Sequence, residues 1–221
     1  MDKLRRSRVA VFGLGGVGGN CVEALVRSGI GTLDLIDHDD VSLTNINRQV
    51  FATTKTVGML KTEAAQERIL AIDPDVNVNL YPKFYLPEDR AEFPFEKWDY
   101  IVDAIDTVSA KIDIIMAARE MGIPIISAMG CGNRMDPTKL KIMDLFDTKD
   151  DPLAKVMRRE LRKRGVDRLT VVCSTELPIP AKVIPDEPLP PGKRSIPGSS
   201  AFVPPAAGIM IASRVVQDLI K

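Results

Sequence analysis

Residues 8–18 read Arg-Val-Ala-Val-Phe-Gly-Leu-Gly-Gly-Val-Gly. Residues 9–12 are a short apolar run with β-branched Val9 and Val11. The run leads straight into Gly13, Gly15, Gly16 and Gly18, and a helical pattern follows. Strand, glycine turn, helix is the setting in which G-x-G-x-x-G signifies nucleotide binding. Without side chains at Gly13 and Gly15, backbone N–H groups can approach a phosphate, and the next helix adds the positive end of its dipole. The next apolar run, 32–36, closes on Asp37, about 20 residues on, where a ribose hydroxyl needs an acceptor. The competing reading is a tight strand–helix turn that holds no ligand.

The chain has 221 residues, enough for one large domain, or one domain plus an appendage, with a substantial core. Thirty basic and 30 acidic residues cancel, so any nucleic-acid or membrane site must be local. Cys21, Cys131 and Cys173 are far apart and form no C-x-x-C pair. Neither a disulfide framework nor a cysteine zinc site is suggested, and a reducing cytoplasm fits. No apolar stretch reaches spanning length, so no transmembrane segment is expected. Residues 1–8 mimic a signal peptide only superficially, because the apolar run ends in the glycine loop without a small-residue cleavage pattern. The chain starts a few residues before its first strand, so nothing N-terminal is expected to cover that sheet.

The periodicity predicts a helix over 17–28, stopped by Gly29 and Gly31, and a second strand over 32–36. The polar stretch 37–49 has no period and follows a strand's carboxyl end, where ligands bind in open α/β sheets. His38, the single histidine, reads as a loop residue rather than a catalytic base. Residues 57–72 form an amphipathic pattern, with Val57, Leu60, Ala64, Ile69 and Ile72 on one face and Lys61 one turn inside its start. Strands follow at 76–80, 98–105 and 123–128, with a proline-interrupted loop over 81–97 and a helix over 110–121. This alternation predicts an α/β fold, a doubly wound, mostly parallel, Rossmann-like sheet. After Gly130 the pattern changes. Strands are expected at 140–146 and 169–173, antiparallel additions in the C-terminal half, with a helix over 150–164 between them. On that helix Lys155, Arg158, Arg159 and Arg162 share one face. The row is either a solvated face or a contact for phosphate backbone. Residues 178–205 hold nine of the 16 prolines and read as a mobile lid or a crossover. A helix over 206–220 ends the chain.

Three features choose the nucleotide. Arg48 and Lys61 follow Asp37 near the same strand ends, and two added cations suit a triphosphate better than a dinucleotide's pyrophosphate. Asp106, after the fourth strand, is a hard oxygen ligand placed to hold magnesium beside those phosphates. Each has a local alternative: Arg48 could pair with Asp39 or Asp40, Lys61 with Glu63 or Glu67, and Asp106 could cap the next helix. Together they favour ATP over NAD.

The motifs Gly13-Leu-Gly-Gly-Val-Gly18, Asp37-His-Asp39, Thr44-Asn45-Ile-Asn-Arg48-Gln49, Val57-Gly-Met-Leu-Lys61 and Asp103-Ala-Ile-Asp106 occur in order. The set resembles the adenylation core of the ThiF/MoeB/ubiquitin-activating-enzyme-like superfamily. The resemblance implies attack of a carboxylate on ATP, giving an acyl-adenylate and pyrophosphate. It implies nucleotide contacts from Gly13, Gly15, Gly16, Gly18, Asp39, Thr44 and Thr107, and from Asp37 to the ribose. It also implies phosphate contacts from Asn45, Arg48 and Lys61, and magnesium on Asp106; Arg48, Lys61 and Asp106 are the expected catalytic set.

The second half, with Asp136-Pro-Thr-Lys-Leu140, Asp151-Pro-Leu153, Cys173-Ser-Thr-Glu176 and the stretch 198–208, is similar to the tRNA threonylcarbamoyladenosine dehydratases. That similarity implies cyclisation, with loss of water, of a modified adenosine in tRNA, with tRNA phosphates on the basic helix and a homodimer. It also implies one adenylation domain over 1–221: a nucleotide-binding core, 1–130, and a substrate-side extension, 131–221. Other readings are an activator of a sulfur-carrier or ubiquitin-like protein, whose usual zinc-binding C-x-x-C pairs are missing, and a non-catalytic nucleotide-binding scaffold. Superfamily members usually have a helix before the first strand, and some send an arginine from it into the partner's site. The chain begins too late for that helix, which leaves Arg5 or Arg6 as substitutes. Cys173, on an expected strand, reads as a buried structural thiol rather than a thioester cysteine.

Overall fold

The computed structural model describes residues 2–180 and 198–221. Seven strands form one sheet: β1 Arg8–Phe12, β2 Thr32–Ile36, β3 Asn77–Tyr81, β4 Tyr100–Asp103, β5 Ile125–Ala128, β6 Leu140–Asp144 and β7 Thr170–Ser174. Their order is β3-β2-β1-β4-β5-β7-β6. All neighbours pair in parallel except β6, which runs antiparallel to β7 at the edge. The expected mixed sheet is therefore present, with one reversed strand. β1 pairs with β2 on one side and β4 on the other. The winding reverses between them, and the carboxyl ends of β1 and β4 open the crevice used for ligands in such sheets.

Among the described residues six α-helices flank the sheet: α1 Asp2–Arg6, α2 Gly18–Arg27, α3 Lys61–Ile72, α4 Val108–Met121, α5 Pro152–Arg162 and α6 Val203–Ile220. On one side Cys21, Val22 and Leu25 of α2 share a core with Val203, Ala207, Ile211 and Val215 of α6 and with the apolar faces of β1 and β2. On the other, Phe12 sits in an aromatic cluster with Tyr85, Phe93, Phe95 and Trp98, making edge contacts to Tyr85 and Trp98 at centroid distances of 5.2 and 5.5 Å. Ile115 of α4 joins Met157 and Leu161 of α5 in a third cluster over β7.

Four expectations need correction. A one-turn helix, α1, does precede β1. Its Leu4 is buried in the core, and the Leu4 carbonyl accepts from Gly31 N at 3.0 Å. One apolar residue among charges makes no period, so the pattern had nothing to register. Arg5 pairs with Asp73 at 2.5 Å, after α3 and before β3, at the amino ends of the strands and away from the glycine loop. The helix expected over 57–72 starts only at Lys61: Val57 is exposed, and Leu60 bridges to Asp40 instead. Finally, Pro204 and Pro205 belong to the first turn of α6, where a missing N–H costs nothing. The lid or crossover expected over 178–205 falls mostly on 181–197, outside the described residues. Among the described residues no helix is long and apolar enough to cross a membrane.

Candidate nucleotide site

The glycine loop is fixed before any ligand is considered. Gly13 has φ +87°, and a Cβ there would lie 2.8 Å from the Ala104 carbonyl oxygen. A Cβ at Gly18 would lie 1.7 Å from the carbonyl oxygen of Gly13. These two glycines let β1 turn sharply into α2 and let the loop after β4 press against the turn. Gly15 is different, since its nearest neighbour is Gln49 Nε2 at 3.9 Å. Gly16 faces Pro204 and the stem of Arg48.

Gly13, Gly15 and Gly16 line a cavity of about 260 Å³ with Asp37, Asp39, Arg48, Lys61, Asp106 and Thr107. Residues scattered from 13 to 107 thus converge at the carboxyl ends of β1, β2 and β4. Gly18, Thr44 and Asn45 do not line it. Gly18 shapes the turn. Buried Asn45 accepts from Ser42 N at 3.1 Å, and Thr44 gives its carbonyl to Arg48 Nη1 at 2.9 Å. Both brace the segment that carries Arg48.

Asp37 is nearly buried and tied down at both oxygens: Oδ2 accepts from Leu14 N at 2.6 Å and Oδ1 from Asp39 N at 2.8 Å. It thereby locks the glycine loop to the segment after β2. Lys61, the first residue of α3, is buried, and its ammonium lies 2.6 Å from Asp39 and 4.0 Å from Asp37. Arg48 also donates to Asn47 Oδ1 at 2.9 Å, and burial lowers its pKa. Cations held in a partly dry pocket bind an anion more strongly than cations in water. Among the described residues, Asp37, His38 and Asp39 form one group whose ligand atoms lie within 4.8 Å of one another.

The far wall was not foreseen. Lys83, Phe84 and Tyr85 complete the cavity with Ile36, Ile105 and Ala110, and His38 stacks edge-on against Phe84 at 4.7 Å. Tyr85 donates to Asp113 at 2.6 Å; burial first, then that carboxylate, pushes its pKa up. The available signal was position, since 83–85 lie just past the carboxyl end of β3. Gln49, quoted within a motif but given no role, also lines the cavity.

On α5 and its C-terminal end, Lys155, Arg158, Arg159, Arg162 and Lys163 line one shallow hollow. Arg158 is engaged with the Thr148 carbonyl at 2.9 Å and with the Thr148 hydroxyl. Arg162 lies over the Phe146 ring at 5.1 Å, and Arg159 pairs with Glu160 at 2.9 Å. Cys173 is buried on β7, where burial pushes its thiol up to about 11. That matches the structural reading.

A model of the ThiF family matches residues 1–220. The tRNA threonylcarbamoyladenosine dehydratase of Bacillus subtilis (strain 168) is 41% identical over 228 residues, covering 100% of this chain and 90% of that protein. Two crystal structures of the E. coli tRNA N6-threonylcarbamoyladenosine dehydratase, in complex with AMP and with ATP, superpose with TM-scores of 0.87. They are 33% and 32% identical, and each alignment covers 99% of this chain and 88% of the other. By fold, by motif order and by these matches, the chain belongs to the ThiF family, in its tRNA threonylcarbamoyladenosine dehydratase branch.

Proposed function

We propose that this chain uses ATP to activate the threonyl carboxylate of threonylcarbamoyladenosine in tRNA and so drives its cyclising dehydration. The observation that carries the reading is the convergence of Gly15, Gly16, Arg48, Lys61 and Asp106 on one cavity at the sheet's switch point.

A carboxylate oxygen attacks the α-phosphorus, the bond to the β-phosphate oxygen breaks, and pyrophosphate leaves. An atom of the carbamoyl group then attacks the activated carbonyl and gives up its proton as the ring closes, and AMP leaves with the carboxylate oxygen, so that overall the base loses one water. The carboxylate is already an anion and needs no base. The protein's task is to position the reactants and neutralise phosphate charge. Arg48 and Lys61 supply cations from half-buried and buried positions, with Asn45 and Thr44 behind them and Thr107 beside Asp106. Gly13, Gly15 and Gly16 bring backbone against the nucleotide while Gly18 shapes the turn behind them, and Asp37 and Asp39 stand on the ribose side. Asp106, an exposed carboxylate on the cavity wall, suits a hard cation and would hold magnesium. Magnesium, when bound, supplies further neutralisation of the phosphates.

The hollow on α5 suits tRNA phosphates through Lys155, Arg158, Arg159 and Arg162. A homodimer in a reducing cytoplasm completes the proposal. The test is incubation with ATP and a tRNA pool bearing the modified adenosine, followed by mass analysis of the nucleosides. Loss of one water with release of AMP is the expected result. ATP–pyrophosphate exchange that requires a carrier protein, and never appears with tRNA, overturns it.

A further inference from the structure

Lys111, in the first turn of α4, is fully buried. Its ammonium lies 2.9 Å from Asp103 at the end of β4. It also donates to the Ala128 carbonyl at 2.9 Å and the Ile105 carbonyl at 3.2 Å. The ammonium thus holds two backbone carbonyls by hydrogen bonds and faces Asp103 as an ion pair. Asp103 Oδ2 accepts from the Ser127 hydroxyl as well, at 2.5 Å, while its Oδ1 is buried with no hydrogen-bond partner.

As a source of stability this arrangement is poor. Desolvating both charges offsets most of their attraction, and an apolar pair of similar volume would fill the space as well. What an apolar pair could not do is hold backbone carbonyls. The Ile105 carbonyl belongs to the loop 104–107, whose Ile105, Asp106 and Thr107 line the cavity. On its other side, the loop's Ala104 carbonyl lies so close to Gly13 that no Cβ fits between them. The loop is thus pressed from the glycine side and held from the α4 side.

We propose that Lys111 is a positioning residue: its ammonium, neutralised by Asp103, fixes the wall 104–107 at the spacing the nucleotide requires. This rests on the cavity being the nucleotide site. Lys111 itself touches only the protein.

The test compares wild type, Lys111→Met and the double variant Lys111→Met with Asp103→Asn. The readouts are melting temperature, AMP affinity by calorimetry without magnesium, and hydrogen exchange of the 104–107 amides. Lys111→Met strands a buried carboxylate and should lower both melting temperature and affinity. The double variant leaves no lone charge, so its melting temperature should return toward wild type. Its AMP affinity should stay about tenfold or more weaker, on the scale of lost charged hydrogen bonds, and faster exchange should be confined to 104–107. Affinity that recovers together with melting temperature overturns the proposal, as does exchange that is unchanged or raised uniformly along the chain. If Lys111→Met does not fold, the double variant decides alone. Wild type that binds no AMP would defeat the nucleotide reading instead, while the exchange comparison would still decide whether Lys111 holds the loop.

Discussion

The ammonium of Lys61 lies 2.6 Å from the carboxylate of Asp39, with the lysine side chain nearly buried and the aspartate side chain half exposed. A cation is therefore held on the cavity wall by a partner that solvent can reach.

Lys61→Ala should lower ATP–pyrophosphate exchange by about 10²–10³, the usual effect of removing one preorganised charge donor. The folded chain should persist, because Asp39 can rehydrate. Exchange within a few-fold of wild type would remove Lys61 from the site.

Gly18→Ala tests a different kind of glycine. A methyl there would lie 1.7 Å from a backbone carbonyl that cannot swing away. The urea midpoint should fall, reporting a loss of roughly 1–3 kcal/mol or more. An equivalent change at Gly15, whose Cβ would meet only Gln49 Nε2 at 3.9 Å, should leave the midpoint nearly unchanged and weaken nucleotide binding instead.

All three cysteines are buried. Burial pushes Cys131 up to about 12 and Cys173 up to about 11, and raises Cys21 as well. A raised thiol pKa means less thiolate at a given pH; at pH 8 Cys173 holds roughly one part in a thousand. A chromogenic disulfide reagent should find no fast thiol in the folded protein and three after unfolding. A rapid single equivalent in the folded state would reopen a chemical role for Cys173.

For the basic face, the informative pair is Lys155→Glu with Arg162→Glu. Arg158 braces Thr148, so replacing it would mix loss of structure with loss of charge. The pair should weaken tRNA binding and lower the slope of log affinity against log salt by about 2, leaving ATP affinity unchanged. An unaltered slope would mean that the hollow does not meet RNA.

Much of the fold was legible because its signals are periodic and local. β1, β2 and α2 announce themselves through alternation of apolar runs with glycine breaks, and β6 and β7 through a change of rhythm after Gly130. α1 and the true start of α3 were not legible. One buried Leu4 makes no period, and Val57 continues an apolar face that the chain abandons at Leu60. At the site, charged residues in motif order were easy to nominate, and Arg48, Lys61 and Asp106 do meet at one cavity. Phe84, Tyr85 and Ile105 were missed because an apolar wall has no signature beyond position. Lys111 was missed for a deeper reason: in sequence it is an ordinary helix lysine, and only the fold buries it.

The laying of α6 against α2 has a consequence for the order of events as the chain folds. The glycine loop and Lys61 lie within the first third of the chain, yet the core under Cys21, Val22 and Leu25 of α2 is completed by Val203, Ala207 and Ile211 of α6. Pro204, in the first turn of α6, then closes against Gly16. Contacts of such sequence separation form late. The glycine turn is therefore backed by α6 only once the last part of the chain has been made and docked.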